Sequence, residues 1–223
     1  MSNIVNDVVE DYIRHTLKDE NGLLKELEIY AEENSVPIVH KEVSDLLKVL
    51  LKIQKPKKIL EVGCAIGYSS ILFATICGDD SDITTCERNP IMIEKAKENI
   101  KRAGFENNIK ILEGDAVENL KDIEGEFDMI FLDAAKGQYK LFYDLVIDKL
   151  KVGGVLISDN ILYKGMIADD NLVVRRKKTI VKRMRNYLDY ICNCDYMATS
   201  LLPMGDGVAI SYKESKRGDS DNA

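Results

Sequence analysis

Residues 59–69, Ile-Leu-Glu-Val-Gly-Cys-Ala-Ile-Gly-Tyr-Ser, decide the fold, because an apolar run carrying a carboxylate passes directly into a glycine turn and then into a helix start. Ile59, Leu60 and Val62 read as a buried parallel strand. Gly63 and Gly67 let the backbone turn tightly against a ligand, and Tyr68, Ser69 and Ser70 open the next helix. A dinucleotide fingerprint reads GxGxxG, with free N–H groups at the helix start to cradle a pyrophosphate. Here the glycines are four apart and Glu61 stands just before them. An acid there repels phosphate and suits a cationic or hydroxyl-bearing cofactor.

Outward from this turn, strands alternate with helical periods. Strands are predicted at 58–62, 82–86, 109–112, 127–132 and 152–158, separated by helix-length segments such as 90–103 and 137–150. This is a βαβ series with a parallel sheet. Before it, residues 3–18, 22–34 and 41–53 carry apolar positions at helical spacing, for example Val43, Leu46, Leu47 and Leu50. After it, a helix is predicted at about 172–189, then apolar strands near 191–200 and 207–212 joined by Pro203-Met-Gly-Asp-Gly207, an antiparallel hairpin. The reading is a single α/β domain over residues 1–213, with 1–55 its helical N-terminal part and 214–223 a disordered polar tail.

Composition narrows the classes. The 223 residues are 45% hydrophobic and 31% charged, enough to bury one substantial core. No stretch approaches the roughly 20 apolar residues of a membrane span. The start, MSNIVNDVVEDYIRH, lacks the basic and apolar regions of a signal peptide, so the expected location is the cytoplasm. Five scattered cysteines in largely apolar surroundings fit reduced buried thiols, and Cys192-x-Cys194 has no second pair for zinc. His15 and His40 read as surface or satisfied histidines.

Glu87 ends the second strand, 24 residues after Gly63. A carboxylate there can accept both hydroxyls of a ribose; capping the next helix is its other reading. Further on, Asp133 closes Phe127-Asp-Met-Ile-Phe-Leu132, and Asp159-Asn160 closes Gly154-Val-Leu-Ile-Ser158. Two carboxylates and an amide oxygen at neighbouring strand ends make a hard, all-oxygen site suited to Mg²⁺. A capping acid is the alternative for Asp133, and a solvated helix-start lysine the alternative for Lys136.

The turn at 59–69 resembles motif I of the class I S-adenosylmethionine-dependent methyltransferases. That resemblance implies a Rossmann-like fold with a seven-stranded, mostly parallel sheet, a reversed last strand and helices on both faces. It also implies cofactor contacts at Glu61, Gly63, Gly67, Tyr68, Ser69, Glu87 and Asp133, with Ser69 on the methionine carboxylate, where a helix N-terminus favours an anion. Asp115 and Ala116 fall where such proteins meet the adenine, although Asp115 reads equally as an N-cap. Asp133-Ala-Ala-Lys136-Gly-Gln-Tyr139 with Asp159-Asn160 resembles the cation-dependent O-methyltransferases, the group of the catechol and caffeoyl-CoA enzymes, over nearly the whole chain. Carried over, Asp133, Asp159 and Asn160 are metal ligands for Mg²⁺ (or Mn²⁺), and Lys136 is the general base. A homodimer is implied as well, in keeping with the apolar N-terminal helices.

One feature of charge is more specific. Residues 175–185, Arg-Arg-Lys-Lys-Thr-Ile-Val-Lys-Arg-Met-Arg, hold seven basic residues and no acid in a chain of net charge -7. At helical spacing Arg175, Arg176, Lys178, Lys182, Arg183 and Arg185 share one face. Such a face offers phosphate affinity without base specificity; a solvated face is the plain alternative. With Asp159-Asn-Ile-Leu-Tyr-Lys-Gly165 and Leu202-Pro-Met-Gly-Asp-Gly-Val208, the pattern is similar to the bacterial tRNA 5-hydroxyuridine methyltransferases. The resemblance implies a tRNA anticodon loop as partner and neither DNA nor membrane, with Lys164, Arg175, Arg176, Lys178 and Lys182 on the RNA. The rival expectations are a small-molecule catechol or caffeoyl-CoA-like O-methyltransferase and a non-catalytic RNA-binding protein with a Rossmann-like core.

Overall fold

The computed structural model describes residues 4–218. Seven strands, β1 Lys58–Val62, β2 Asp82–Glu87, β3 Ile109–Glu113, β4 Phe127–Leu132, β5 Leu150–Ser158, β6 Met197–Leu202 and β7 Val208–Lys213, form one sheet in the order β3-β2-β1-β4-β5-β7-β6. The eight α-helices among the described residues are α1 Asp7–Thr16, α2 Gly22–Asn34, α3 Lys41–Gln54, α4 Tyr68–Cys77, α5 Pro90–Ala103, α6 Ala116–Asp122, α7 Tyr139–Val146 and α8 Lys178–Cys192. They cover both faces, the Rossmann-like methyltransferase arrangement anticipated from the turn at 59–69. Among the described residues no helix is long and apolar enough to cross a membrane. The chain divides into two compact units, residues 12–123 and residues 124–218 together with 4–11.

In the unit of residues 12–123, β1, β2 and β3 are parallel, with Leu60 opposite Thr84 and Cys86 opposite Leu112. Val43, Leu47 and Leu51 recur at i, i+4, i+8 and bury one stripe of α3, which packs on α4. Helix α5 is punctuated at both ends: Asn89 Oδ1 accepts the Ile91 N–H at 3.0 Å, Pro90 occupies the first turn, and Gly104 takes the left-handed cap at φ 76°. Burial pushes the Cys86 thiol up to about 12 and that of Cys77 to about 11, and it raises that of Cys64 as well, so these are inert thiols; all five cysteines are free.

In the unit of residues 124–218, β4 and β5 are parallel, and the antiparallel β6–β7 hairpin closes on β5 with Ile157 opposite Ile210. The predicted helix at 137–150 is three pieces, 3₁₀ turns at Lys136–Gln138 and Ile147–Lys149 flanking α7. The predicted helix at 172–189 is displaced. Asp169 caps a 3₁₀ turn at Asp170–Leu172 by accepting the Asn171 N–H, Val173 and Val174 are extended, and a second turn at Arg175–Lys177 leads into α8. Helix α8 then runs to Cys192, because Val181, Met184, Tyr187, Leu188 and Ile191 keep one stripe buried, and the strand predicted near 191–200 begins only at Met197. The Glu214 N–H donates to the Tyr196 carbonyl at 3.0 Å; of the tail predicted at 214–223, residues 219–223 lie outside the described ones.

Candidate active site

The turn after β1 is built by its own hydrogen bonds. The Gly63 N–H donates to Cys86 O at 2.9 Å, Ala65 N–H to Glu87 Oε2 at 3.0 Å, and Gly67 N–H to Cys64 O at 2.7 Å. Gly67 sits at φ 85°, and a Cβ there would meet the Ala96 Cβ at 3.4 Å, so the turn needs glycine for conformation and for close packing. Glu61 is fully buried, its carboxylate accepting the Ser69 and Ser70 hydroxyls. Tyr68 is buried too and donates to Glu28 Oε1 at 3.0 Å. Glu87 accepts three backbone N–H groups, from Ala65, Arg88 and Asn89, which hold its carboxylate rigidly at the end of β2. Asp115 caps α6 by accepting the Val117 N–H at 2.8 Å, with Ala116 opening that helix. The cap that the sequence offered as one reading is therefore the contact that forms.

This donor set discriminates between cofactors. Three N–H groups of the turn are taken up internally, so the cradle a pyrophosphate needs is depleted. A rigid carboxylate with one lone-pair site still open suits a ribose hydroxyl, and the arrangement fits S-adenosylmethionine.

The second constellation lies in the other unit, at the carboxyl ends of β4 and β5. Asp159 is buried; its Oδ1 accepts the Asn160 N–H at 2.6 Å, while Oδ2 is enclosed without a hydrogen-bond partner. Asn160 is held at φ 60°, and its Nδ2 donates to Asp133 Oδ1 at 3.1 Å. Tyr139, buried on α7, donates to the Asp159 carbonyl at 2.7 Å and fixes the strand end. Burial raises Asp133 to about 6, with Lys136 pulling the other way. Burial raises Asp159 strongly, reinforced by Asp133 and opposed by the Asn160 N–H and Lys136. An orphaned buried carboxylate oxygen beside a second carboxylate and an amide oxygen leaves negative charge that Lys136 compensates only in part, and a divalent cation would supply the rest; the residues fit Mg²⁺.

Lys136 Nζ donates to Asn160 Oδ1 at 2.9 Å and to Asp206 Oδ2 at 2.8 Å, and lies 4.9 Å from the centre of the Tyr163 ring. Asp206 was not among the residues singled out from sequence. Its only signal there was its place inside a glycine turn, 70 residues from its partner.

The basic run does not form one helical face. Arg175 and Arg176 sit on the 3₁₀ turn, exposed, and Lys178 and Lys182 are exposed on α8. Arg185 turns inward instead, donating from Nε to Ile167 O at 2.9 Å, from Nη2 to Met166 O at 3.2 Å and pairing with Asp170 at 2.7 Å. Arg183 Nη1 reaches Gly137 O at 3.4 Å. The Lys164 N–H donates to Asp206 Oδ1, and the Lys164 side chain is exposed.

The sheet order and its reversed final hairpin, with a carboxylate-bearing glycine turn after the first strand, define a class I methyltransferase dependent on S-adenosylmethionine. The chain belongs to the O-methyltransferase family, whose profile matches residues 14–214. It is 30% identical to a caffeoyl-CoA O-methyltransferase of Medicago sativa over 92% of this chain and 88% of that one. The match to the corresponding enzyme of Stellaria longipes, at 32%, spans 61% of this chain and 60% of that one. A crystal structure from Staphylococcus aureus, provisionally named a caffeoyl-CoA O-methyltransferase, superposes with a TM-score of 0.87 at 40% identity, over 93% of this chain and all of that one. A Podospora anserina methyltransferase with bound S-adenosylhomocysteine superposes at 0.85 with 25% identity, over 94% and 95% of the two chains.

Proposed function

We propose that the chain methylates the 5-hydroxyl of 5-hydroxyuridine at the tRNA wobble position, giving 5-methoxyuridine, with S-adenosylmethionine as donor and Mg²⁺ (or Mn²⁺) as metal. The observation that carries the substrate is the set Arg175, Arg176, Lys178 and Lys182. All four are exposed and, among the described residues, none of their side chains has a hydrogen-bond or ion-pair partner, in a chain of net charge -7. Unpaired cations on a short segment are the expected footprint of a phosphate backbone.

Each residue's task follows from its surroundings. Glu87, immobilised by three N–H donors, holds a ribose hydroxyl, the N-terminus of α4 at Ser69 and the Asp115 carboxylate meet the two ends of the cofactor, and bound S-adenosylmethionine supplies an electrophilic methyl for in-line displacement. Asp133, Asp159 and Asn160 would hold the metal, which when bound stabilises an acceptor oxyanion. Lys136 is the base: Asn160 and Asp206 fix its Nζ in place before the acceptor arrives, and once the ammonium has released a proton to solvent the neutral amine takes the hydroxyl proton at that atom. An unstacked wobble base presents its hydroxyl without any demand for base-edge readout by the cationic segment. Val8, Val9 and Tyr12, left exposed on α1, serve a homodimer, which light scattering tests directly.

A second reading, a catechol or caffeoyl-CoA-like acceptor, is favoured by the names of the plant relatives. The experiment that separates them is transfer of labelled methyl to bacterial tRNA lacking 5-methoxyuridine, with Mg²⁺ and with chelator, followed by nucleoside mass spectrometry. Metal-dependent 5-methoxyuridine, lost in Arg175→Glu/Arg176→Glu while turnover of a catechol survives, is the outcome that supports RNA. Unmethylated tRNA together with methylated catechol gives the plant-like reading instead.

A further inference from the structure

The geometry points to Asp206 as the positioning residue for Lys136, holding the ammonium against Asn160 and tying it to the loop that follows the metal ligands. This inference rests on Lys136 acting as base. One carboxylate makes two connections. Oδ2 accepts Lys136 Nζ at 2.8 Å, and Oδ1 accepts the Lys164 N–H. The backbone alongside adds two more: Ile161 N–H donates to Gly207 O at 3.0 Å and Leu162 N–H to Asp206 O at 2.9 Å. Three N–H groups of the 160–164 loop, those of Ile161, Leu162 and Lys164, are therefore held by the 206–207 turn.

That loop is conformationally costly. Asn160, Tyr163 and Lys164 all occupy left-handed backbone conformations, at φ 60°, 46° and 57°. Such conformations persist only where surrounding bonds over-determine them, and Asp206 supplies the bond at Lys164. Gly207 is required beside it, because at φ 88° its Cβ would fall 2.4 Å from Leu162 Cγ. Asp206 is largely enclosed, its side chain 12% exposed, and Lys136 is 24% exposed. An ion pair so placed is screened less than a surface pair, and it restricts a long, otherwise mobile amine to one position. Lys136 also stacks near the Tyr163 ring, whose other neighbouring cation is Lys177 at 5.6 Å. Without Asp206, the amine would retain only the Asn160 acceptor and the Tyr163 ring.

The test compares Asp206→Asn, Asp206→Glu and Lys136→Ala. The asparagine keeps an oxygen for the Lys164 N–H but turns a donor toward Lys136, so it removes the hold on the amine and leaves the loop bond. Three readouts are needed: kcat and KM for the acceptor, S-adenosylmethionine affinity by calorimetry, and the acylation rate of Lys136 in the metal-free protein by peptide mass spectrometry. In Asp206→Asn, kcat should fall by about tenfold or more with KM and cofactor affinity within about twofold, because an interaction made to the reacting group is lost and binding is not. Lys136 should acylate several-fold faster, and Asp206→Glu should recover part of both effects. Unchanged acylation, or a kcat within about twofold of the parent while Lys136→Ala is inactive, would overturn the role of Asp206. If Lys136→Ala keeps full activity, the reading of Lys136 as base fails on its own, and the acylation rates still decide whether Asp206 holds the amine.

Discussion

Asn160 donates its amide to Asp133 at 3.1 Å, so the ends of β4 and β5 are already joined through two of the oxygen-bearing side chains that would hold a metal. The third, Asp159, is buried with one oxygen bare. The cluster is assembled, and the Lys136 ammonium against Asn160 offsets only part of its negative charge.

Metal response should therefore depend on pH. Burial raises Asp133 to about 6 and Asp159 also upward, so these groups favour the folded state fully below their ordinary carboxylate range, and that contribution is lost as pH rises through the raised values. At pH 7.5 both must ionise at a cost, which Mg²⁺ offsets; at pH 5 protons compete with the metal. Differential scanning fluorimetry should show Mg²⁺ raising Tm at pH 7.5 and leaving it nearly unchanged at pH 5. Equal shifts at both values would remove the carboxylates from the metal site.

Asp159→Asn isolates the bare oxygen. An amide keeps the shape and the Oδ1 acceptor while deleting the uncompensated charge. The variant should be at least as stable as the parent without metal, show no Mg²⁺ shift, and lose about 100-fold or more in kcat, the range for removing one electrostatic stabiliser of a transition state. A surviving Mg²⁺ shift would place the ion elsewhere.

Arg185 is a structural clamp in a basic run. Arg185→Ala removes three bonds to residues 166–170 and uncovers two carbonyls, so unfolding free energy should drop by about 1–3 kcal/mol, whereas Lys182→Ala, at an exposed side chain with no partner among the described residues, should change it by less than about 0.5 kcal/mol. Urea titrations of the two variants check the contrast.

Salt dependence reports the RNA contacts. Each phosphate neutralised on a single strand contributes about 0.7 to the slope of log K against log salt, so Arg175→Ala/Arg176→Ala should flatten the slope for an anticodon stem-loop by about 1.4. An unaltered slope would return these arginines to the solvent.

Gly67→Ala tests the turn. A left-handed alanine costs about 1–2 kcal/mol before its Cβ meets Ala96 at 3.4 Å, and the cofactor turn must shift to accept it. Calorimetry should show weakened S-adenosylmethionine binding while Mg²⁺ shifts of Tm persist.

Legibility varied with how local the determining signal is. Strands 58–62 and 127–132 and helices 22–34 and 90–103 stand where the sequence placed them, because apolar runs, Asn89-Pro90 and Gly104 mark their ends within a few residues. The start of α8 was misplaced, since Arg and Lys favour helix while the Asp169 cap and the extended Val173-Val174 interrupt it first. Its end was misread because an apolar stretch at 187–192 fits a buried helix stripe as well as a strand.

By itself the sequence determined the alternation of strand and helix, the glycine turn, and the placement of Glu87, Asp133, Asp159 and Asn160 at strand ends, since backbone propensity and periodicity are properties of neighbours along the chain. Only the tertiary structure decided which polar atoms are satisfied. Asp206 reaches Lys136 across 70 residues, Arg185 folds inward while Lys182 points out, and one oxygen of Asp159 is left bare. Hydrogen bonds and burial are made between segments that only the folded chain brings together, and they decide which of these groups are held in place and which stay open to a ligand.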